Sequence, residues 1–301
     1  MDISIMSTLN FPSPFNPNYR YVTGSDFIPT DIKPTNTTNM YAYASNPVID
    51  VSVDTSNVTN MSKMFNGASN LITVTLFDTS NVTNMRYMFQ SCSNLVKVPL
   101  FDTSKVTDMR YMFSYCSLLV EVPLFDTSKV TDFSYMFENC PKLTTIPEFD
   151  FSSATGSKLN GFLSSCTALR EIPNINCKKV TSLDGWTSSC NEIIKVGVID
   201  CDSITNASGL ISSSNPYNSV ADIGGFRNLG MTSNVSNTNA NYFLYNLTNL
   251  TRESLLNVFN LLYDRASAGY SILTIKLHAN HHAKLTDEDR AIATNKGWAL
   301  S

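Results

Sequence analysis

The sequence predicts an α/β repeat protein, a solenoid of about eight 24-residue turns with an irregular N-terminal arm and a helix–strand–helix C-terminal cap. Three observations predict it. The stretches "FDTSNVTNMRYMFQSCSNLVKVPL" (77–100) and "FDTSKVTDMRYMFSYCSLLVEVPL" (101–124) are nearly identical and directly adjacent. Val58, Val82, Val106 and Val130 recur every 24 residues, as do Met64, Met88, Met112 and Met136, each followed by Phe. Cys92, Cys116, Cys140, Cys166 and Cys190 are spaced 24, 24, 26 and 24, so a two-residue insertion within "SSATGSKLNG" (152–161) leaves the later phase intact. Degenerate copies at "NMYAYASN" (39–46) and "LISSS" (210–214) extend the array to residues 38–214.

The arm comes first. Residues 1–37 hold five prolines, Pro12, Pro14, Pro17, Pro29 and Pro34, among Phe11, Phe15, Tyr19, Tyr21 and Phe27. An extended segment of this kind either folds back on the first turn or anchors on another protein through Phe11, Phe15, Tyr19 and Tyr21.

Each turn then divides in three. "LVKVP" (95–99) is a strand too short to stand alone. "FDTSKVT" (101–107) is an Asp/Thr/Ser turn. "DMRYMFSYC" (108–116) places apolar residues at 109, 112, 113 and 116, the spacing of a short helical or 3₁₀ face. A strand and a helical piece per turn is the leucine-rich-repeat plan, in which no turn buries its apolar face without neighbours.

The remaining columns read structurally. Asp54, Asp78, Asp102, Asp126 and Asp150 are expected in Asx-turns rather than on calcium. Pro99, Pro123, Pro147 and Pro173 end the strand ladder because they lack an N–H. The seven cysteines contain no C-x-x-C pair and read as buried free thiols. On the strand face Thr73, Lys97, Glu121, Thr145, Glu171 and Lys195 carry no single-sign field, which predicts an ordinary solvated surface.

One outward column stands apart. Arg86, Tyr87, Arg110, Tyr111 and Tyr135 form a spaced aromatic row flanked by arginines, giving way later to Gly161, Gly185 and Gly209. Two readings stay open, rings lying flat over apolar neighbours and rings contacting a partner.

Residues 215–301 are expected to form a linker and cap. Leu255, Val258, Phe259 and Leu262 mark an amphipathic helix, "YSILTIKL" (270–277) a strand, and Thr286 with Asp289 a capping box before a second helix that Gly297 ends. His278, His281 and His282 are the only histidines, and they read as a polar loop without metal.

Composition limits function. The chain is 43% hydrophobic and 15% charged, with a net charge of −4, so no nucleic-acid footprint is present. No apolar run reaches the ~18 residues of a membrane span, and "MDISIMSTLNFPSPFNPNYR" carries no secretory features. No nucleophile–base pair or phosphate loop emerges, so neither an enzyme nor a cofactor is expected.

"FDTSKVTDMRYMFSYCSLL" resembles the BspA-like leucine-rich repeats, closely over residues 54–143 and loosely over 150–214. "LTDEDRAIATNKGWALS" resembles the C-terminal tail common on such proteins. Members are mostly bacterial surface proteins, often adhesins, and also occur among predicted phage virion proteins. The resemblance implies a non-catalytic binding or structural role. Joined to the missing export signal, it leads to the expectation of a bacteriophage virion component, a tail or head fibre of the receptor-binding type. The arm would then contact other virion proteins and the solenoid a host-surface protein or glycan. A bacterial cell-surface adhesin and an intracellular interaction scaffold are the alternatives. Neither the ligand nor the oligomeric state follows from these residues.

Overall fold

The computed structural model describes residues 33–51, 53–206, 220–231 and 247–301. The chain winds into stacked coils joined by parallel backbone pairing, a leucine-rich-repeat-like solenoid. One side carries short strands: β1 (Val48–Ile49), β2 (Thr73–Val74), β3 (Glu171–Ile172), β4 (Lys195–Asp200) and β5 (Asp222–Arg227). β1 pairs with β2, and β3, β4 and β5 lie in that order, all parallel.

Proline interrupts the ladder in the middle coils. Two positions after Lys97, Glu121, Thr145 and Glu171 stand Pro99, Pro123, Pro147 and Pro173, which cannot donate to the ladder. In the last two coils the same position holds Gly197 and Gly224, and there the strands lengthen to six residues. A side chain at Gly197 would also collide with the neighbouring coil, its Cβ lying 2.7 Å from the Asn174 amide nitrogen. β5 pairs with β4 in register from Lys195↔Asp222 to Asp200↔Arg227. The stack therefore runs past residue 214, where the sequence motif fades.

The segment expected to be helical is not. Among the described residues no α-helix precedes Arg252. In residues 109–116 the N–H groups alternate. Those of Met109, Tyr111, Phe113 and Tyr115 donate to the next coil, to the carbonyls of Asp132, Ser134, Met136 and Glu138 at 3.1, 3.1, 2.9 and 2.8 Å. Those of Met112, Ser114 and Cys116 donate back within the coil, to Met109, Tyr111 and Phe113 at 3.2, 3.2 and 3.1 Å. Tyr111 and Tyr115 adopt left-handed backbone, with φ of 57° and 62°. The result is a chain of linked β-turns. A helix would direct every N–H along its own axis and leave adjacent coils joined by side chains alone. Linked turns put the same four apolar residues inward and still bond one coil to the next, satisfying a buried backbone.

The interior is built of columns. Phe65, Phe89, Phe113 and Phe137 stack face to face, with centroids 5.1, 5.6 and 5.6 Å apart. After the insertion, Phe162 meets Phe137 edge-on at 5.4 Å. The cysteines are free and buried. The Sγ–H of Cys92, Cys116 and Cys140 each donates to a carbonyl of the preceding coil, on Phe65, Phe89 and Phe113, at 3.1 Å. Burial pushes the Cys140 and Cys190 thiols up to about 12. The aspartates form the expected Asx-turns: Oδ1 of Asp54, Asp78, Asp102, Asp126 and Asp150 accepts from the N–H two residues on, at 3.0, 2.8, 3.0, 3.0 and 2.8 Å.

The C-terminal residues cover the last coil. Helix α1 (Arg252–Leu261) is N-capped by Thr251. It lies on the open edge of β5, where the Ile223 N–H donates to Ser254 Oγ at 3.1 Å and Ser254 Oγ donates to the Ala221 carbonyl at 3.2 Å. Covering an exposed edge in this way prevents further strand addition. β6 (Leu273–Ile275) pairs parallel with β7 (Trp298–Leu300), a strand the sequence pattern does not reveal. Helix α2 (Ala279–His282) precedes α3 (Asp287–Thr294), which has the full Thr286/Asp289 capping box, and Gly297 follows at φ 78°. Asp289 also accepts from the Arg252 Nε and Nη2 atoms at 2.8 and 2.6 Å, tying α3 to α1.

The histidines depart from the polar-loop expectation. His281 is fully buried in α2, with Nε2 2.7 Å from the Leu247 carbonyl, so Nε2 carries the proton. Burial pushes its pKa down. His278, which caps α2, and His282, 3.0 Å from an Arg290 nitrogen, are half-buried. The reason is packing: a helical turn places His281 against the 247–250 segment while its neighbours stay at the surface.

A candidate binding surface

Each coil carries two left-handed positions four residues apart. The first of these columns reads Asn39, Lys63, Tyr87, Tyr111, Tyr135, Gly161 and Gly185, with φ between 56° and 65° throughout: 61°, 58°, 60°, 57°, 60°, 60° and 64°. A left-handed backbone costs an L-residue about 1–2 kcal/mol, and glycine avoids that cost. Three consecutive tyrosines here are unusual for a bulky side chain.

The five residues picked out in the sequence do come together. Tyr87 stacks on Tyr111 and Tyr111 on Tyr135, both with centroids 4.9 Å apart. The row ends where the Tyr135 ring lies over Gly161, so close that a Cβ there would sit 2.4 Å from the ring. The rings are half-buried. Stacking is worth about 0.5–1.5 kcal/mol per pair, so two pairs do not by themselves offset the strain at three positions. Burial and the neighbouring phenols push the Tyr111 pKa up.

The two arginines differ. Arg110 donates to the Asp108 carboxylate from Nε and Nη2, the latter at 2.5 Å, and lies 3.7 Å from Asp132, so its charge is neutralised and its pKa raised by Asp108. Arg86 sits one coil earlier, where Asn84 replaces the aspartate and accepts the Arg86 N–H at 3.0 Å. Its guanidinium lies 4.5 Å from the Tyr87 centroid and donates to the Tyr87 hydroxyl at 2.8 Å, while its Nε is buried without a partner. Lys63 Nζ approaches the same ring at 5.4 Å.

At this end an open polar groove is lined by Lys63, Asn66, Asn84, Arg86, Tyr87 and Gln90. Lys63, Asn66, Asn84 and Gln90 were missed in the sequence. The glycines of the Tyr87 column were the available signal, because they mark a left-handed position that Lys63 shares. The row is thus cationic at its N-terminal end and neutral further on. Phe11, Phe15, Tyr19 and Tyr21, the arm's expected anchors, lie outside the described residues. Among the described residues no three His, Cys, Asp or Glu side chains converge on a metal position.

Residues 35–148 and 94–197 each match the family model described as "Mycoplasma protein of unknown function, DUF285". The two matches overlap and together span 35–197, more than half of the 301 residues. The chain belongs to this family. The DUF285 matches cover the Tyr87–Tyr135 row and end before β5. Among solved structures, the chain is similar to a leucine-rich repeat protein from Bacteroides ovatus at 12% identity, with 88% of this chain and 68% of that chain covered and a TM-score of 0.29. No curated protein matches. No helix among the described residues is long and apolar enough to cross a membrane.

Proposed function

We propose that this DUF285 protein is a non-catalytic binding protein whose stiff coil stack presents the Arg86–Tyr87–Tyr111–Tyr135 row to another macromolecule. The observation that carries this reading is the column itself. Glycine holds the same backbone conformation at Gly161 and Gly185, so the coil does not require tyrosine at residues 87, 111 and 135. Aromatic rings and an arginine that forms no ion pair among the described residues are what recognition surfaces favour, and a rigid array spends little entropy on ordering when it binds.

The partner is a surface protein or glycan. Two settings suit such a chain. In a phage virion the arm would hold neighbouring virion proteins and the stack would face the host. On a bacterial cell the stack would act as an adhesin, and membership of a family described from Mycoplasma favours this cellular setting. Surface labelling of intact cells, set beside protein identification in purified particles, separates the two.

The binding reading is tested by replacing Tyr87, Tyr111 and Tyr135 with Asn, which tolerates left-handed backbone. Attachment of the purified chain to intact cells and to a glycan array is then measured. Loss of attachment with unchanged circular dichroism supports the reading. Full attachment by the folded variant overturns it.

A further inference from the structure

The strand face is not the ordinary solvated surface its charged column suggests. Beside that column run two apolar ones. Leu76, Leu100 and Leu124 are 67%, 62% and 61% exposed, and Ile72 and Val120 are 46% and 42% exposed, with Val96 half-buried between them. Large apolar side chains stacked at ~4.8 Å intervals make a continuous patch, and such patches mark interaction sites. The patch stops at the next coil, where Thr144 and Glu148 take the corresponding positions.

We infer that this face is the interface of a homodimer. The charges select a second copy of the chain as the occupant. Down the strand column the residues read Thr73, Lys97, Glu121 and Thr145, a charge pattern that is its own complement when reversed. Consider a two-fold axis lying in the interface, parallel to the strands, midway between the coils of Lys97 and Glu121. It keeps each position along the strand and reverses the order of the coils. Lys97 then faces Glu121 of the partner subunit, and Glu121 faces Lys97 of the partner subunit. Leu100 meets Leu124 of the partner subunit, Val96 meets Val120 of the partner subunit, and Thr73 meets Thr145 of the partner subunit, while at the ends Ile72 meets Thr144 of the partner subunit and Leu76 meets Glu148 of the partner subunit.

Other registers lose the pairing of Lys97 with Glu121. An axis through the Lys97 coil opposes lysine to lysine, and one through the Glu121 coil opposes glutamate to glutamate. Shifting the axis one coil toward the C-terminus breaks up the central leucine pair, setting Leu124 against Glu148 of the partner subunit and Leu100 against Asn174 of the partner subunit, whereas the chosen register places a leucine–glutamate mismatch only at its ends. Both side chains are exposed, and among the described residues neither Lys97 nor Glu121 forms an ion pair within the chain. Six coils overlap in the chosen register, a footprint of roughly 29 by 17 Å at ~4.8 Å per coil and ~3.3 Å per residue. That is below the ~800 Å² per partner of tight complexes, so the dimer is weak and concentration-dependent.

The test uses the full chain in sedimentation equilibrium. Wild type should dimerise on concentration. Lys97→Glu and Glu121→Lys, each of which creates two like-charge contacts per dimer, should each weaken association at least about tenfold. The double variant should restore it, which no folding defect imitates. Leu100→Asp should abolish the dimer while leaving circular dichroism unchanged. A wild-type chain that stays monomeric at about 1 mM overturns the inference. So does a dimer indifferent to the single charge reversals, or a double variant no better than the singles.

Discussion

The coils before and after the insertion share a backbone and differ in what they hang on it. Before residue 155 the left-handed column carries Tyr87, Tyr111 and Tyr135, and after it Gly161 and Gly185, at φ values of 60°, 57°, 60°, 60° and 64°. Inside, the order also changes. Phe89, Phe113 and Phe137 stack with planes 1° and 3° apart, whereas Phe151 and Phe162 meet near a right angle, at 87°. The interior of both halves is close apolar packing. Only the outer column distinguishes a coil with a decorated surface from one that is bare. The comparison teaches that the inward residues specify the coil and the outward ones are free to serve something else.

The largest test of that division is in the core. Phe113→Ala and Phe162→Ala should each cost about 3–5 kcal/mol in urea unfolding, because both rings are fully buried. Equal losses in the two halves would mean that stacked and edge-on rings support the coil alike. A loss below about 1 kcal/mol at Phe113 would break the claim that the column is the core.

A smaller effect sharpens the outer side. Gly185→Ala meets nothing within 4 Å, so it should lose only the left-handed penalty of about 1–2 kcal/mol. Gly161→Ala should lose more, because its methyl group displaces the Tyr135 ring that lies over it. Equal losses, read from chemical unfolding, would show that the end of the tyrosine row is not packed against Gly161.

Much of this was legible in the sequence. The period placed every interior column correctly because stacked coils can share a core only if the spacing is strict. Asp54 to Asp150 declared their Asx-turns, and Thr286 with Asp289 declared the start of α3, since both are local hydrogen-bonding patterns. The linked turns of residues 108–116 were read as helical because i, i+3, i+4, i+7 spacing satisfies either geometry. The deciding clue was glycine in register with tyrosine. β5 escaped because "DIGGFR" has none of the repeat's marker residues, although it joins the stack by backbone pairing and by burying Ile223 and Phe226. His281 was misplaced because burial depends on a contact with Leu247, 34 residues away. The five residues of the candidate surface were visible as a column, but the neutralised Arg110 and Arg86, which forms no ion pair among the described residues, separate only when Asp108 and Asn84 are seen beside them.

The claim everything else depends on is that the tyrosine row is surplus to folding. Thermal unfolding of the chain with Tyr87, Tyr111 and Tyr135 all replaced by Gly measures it most directly. Relief of three strained positions should roughly balance two lost stacks together with the unfolded-state entropy that three glycines add, about 0.5–1 kcal/mol each, keeping Tm within about 5 °C of wild type, given ~2–4 °C per kcal/mol for a chain of this class. A fall of more than about 15 °C would contradict the account and make the rings part of the structural core.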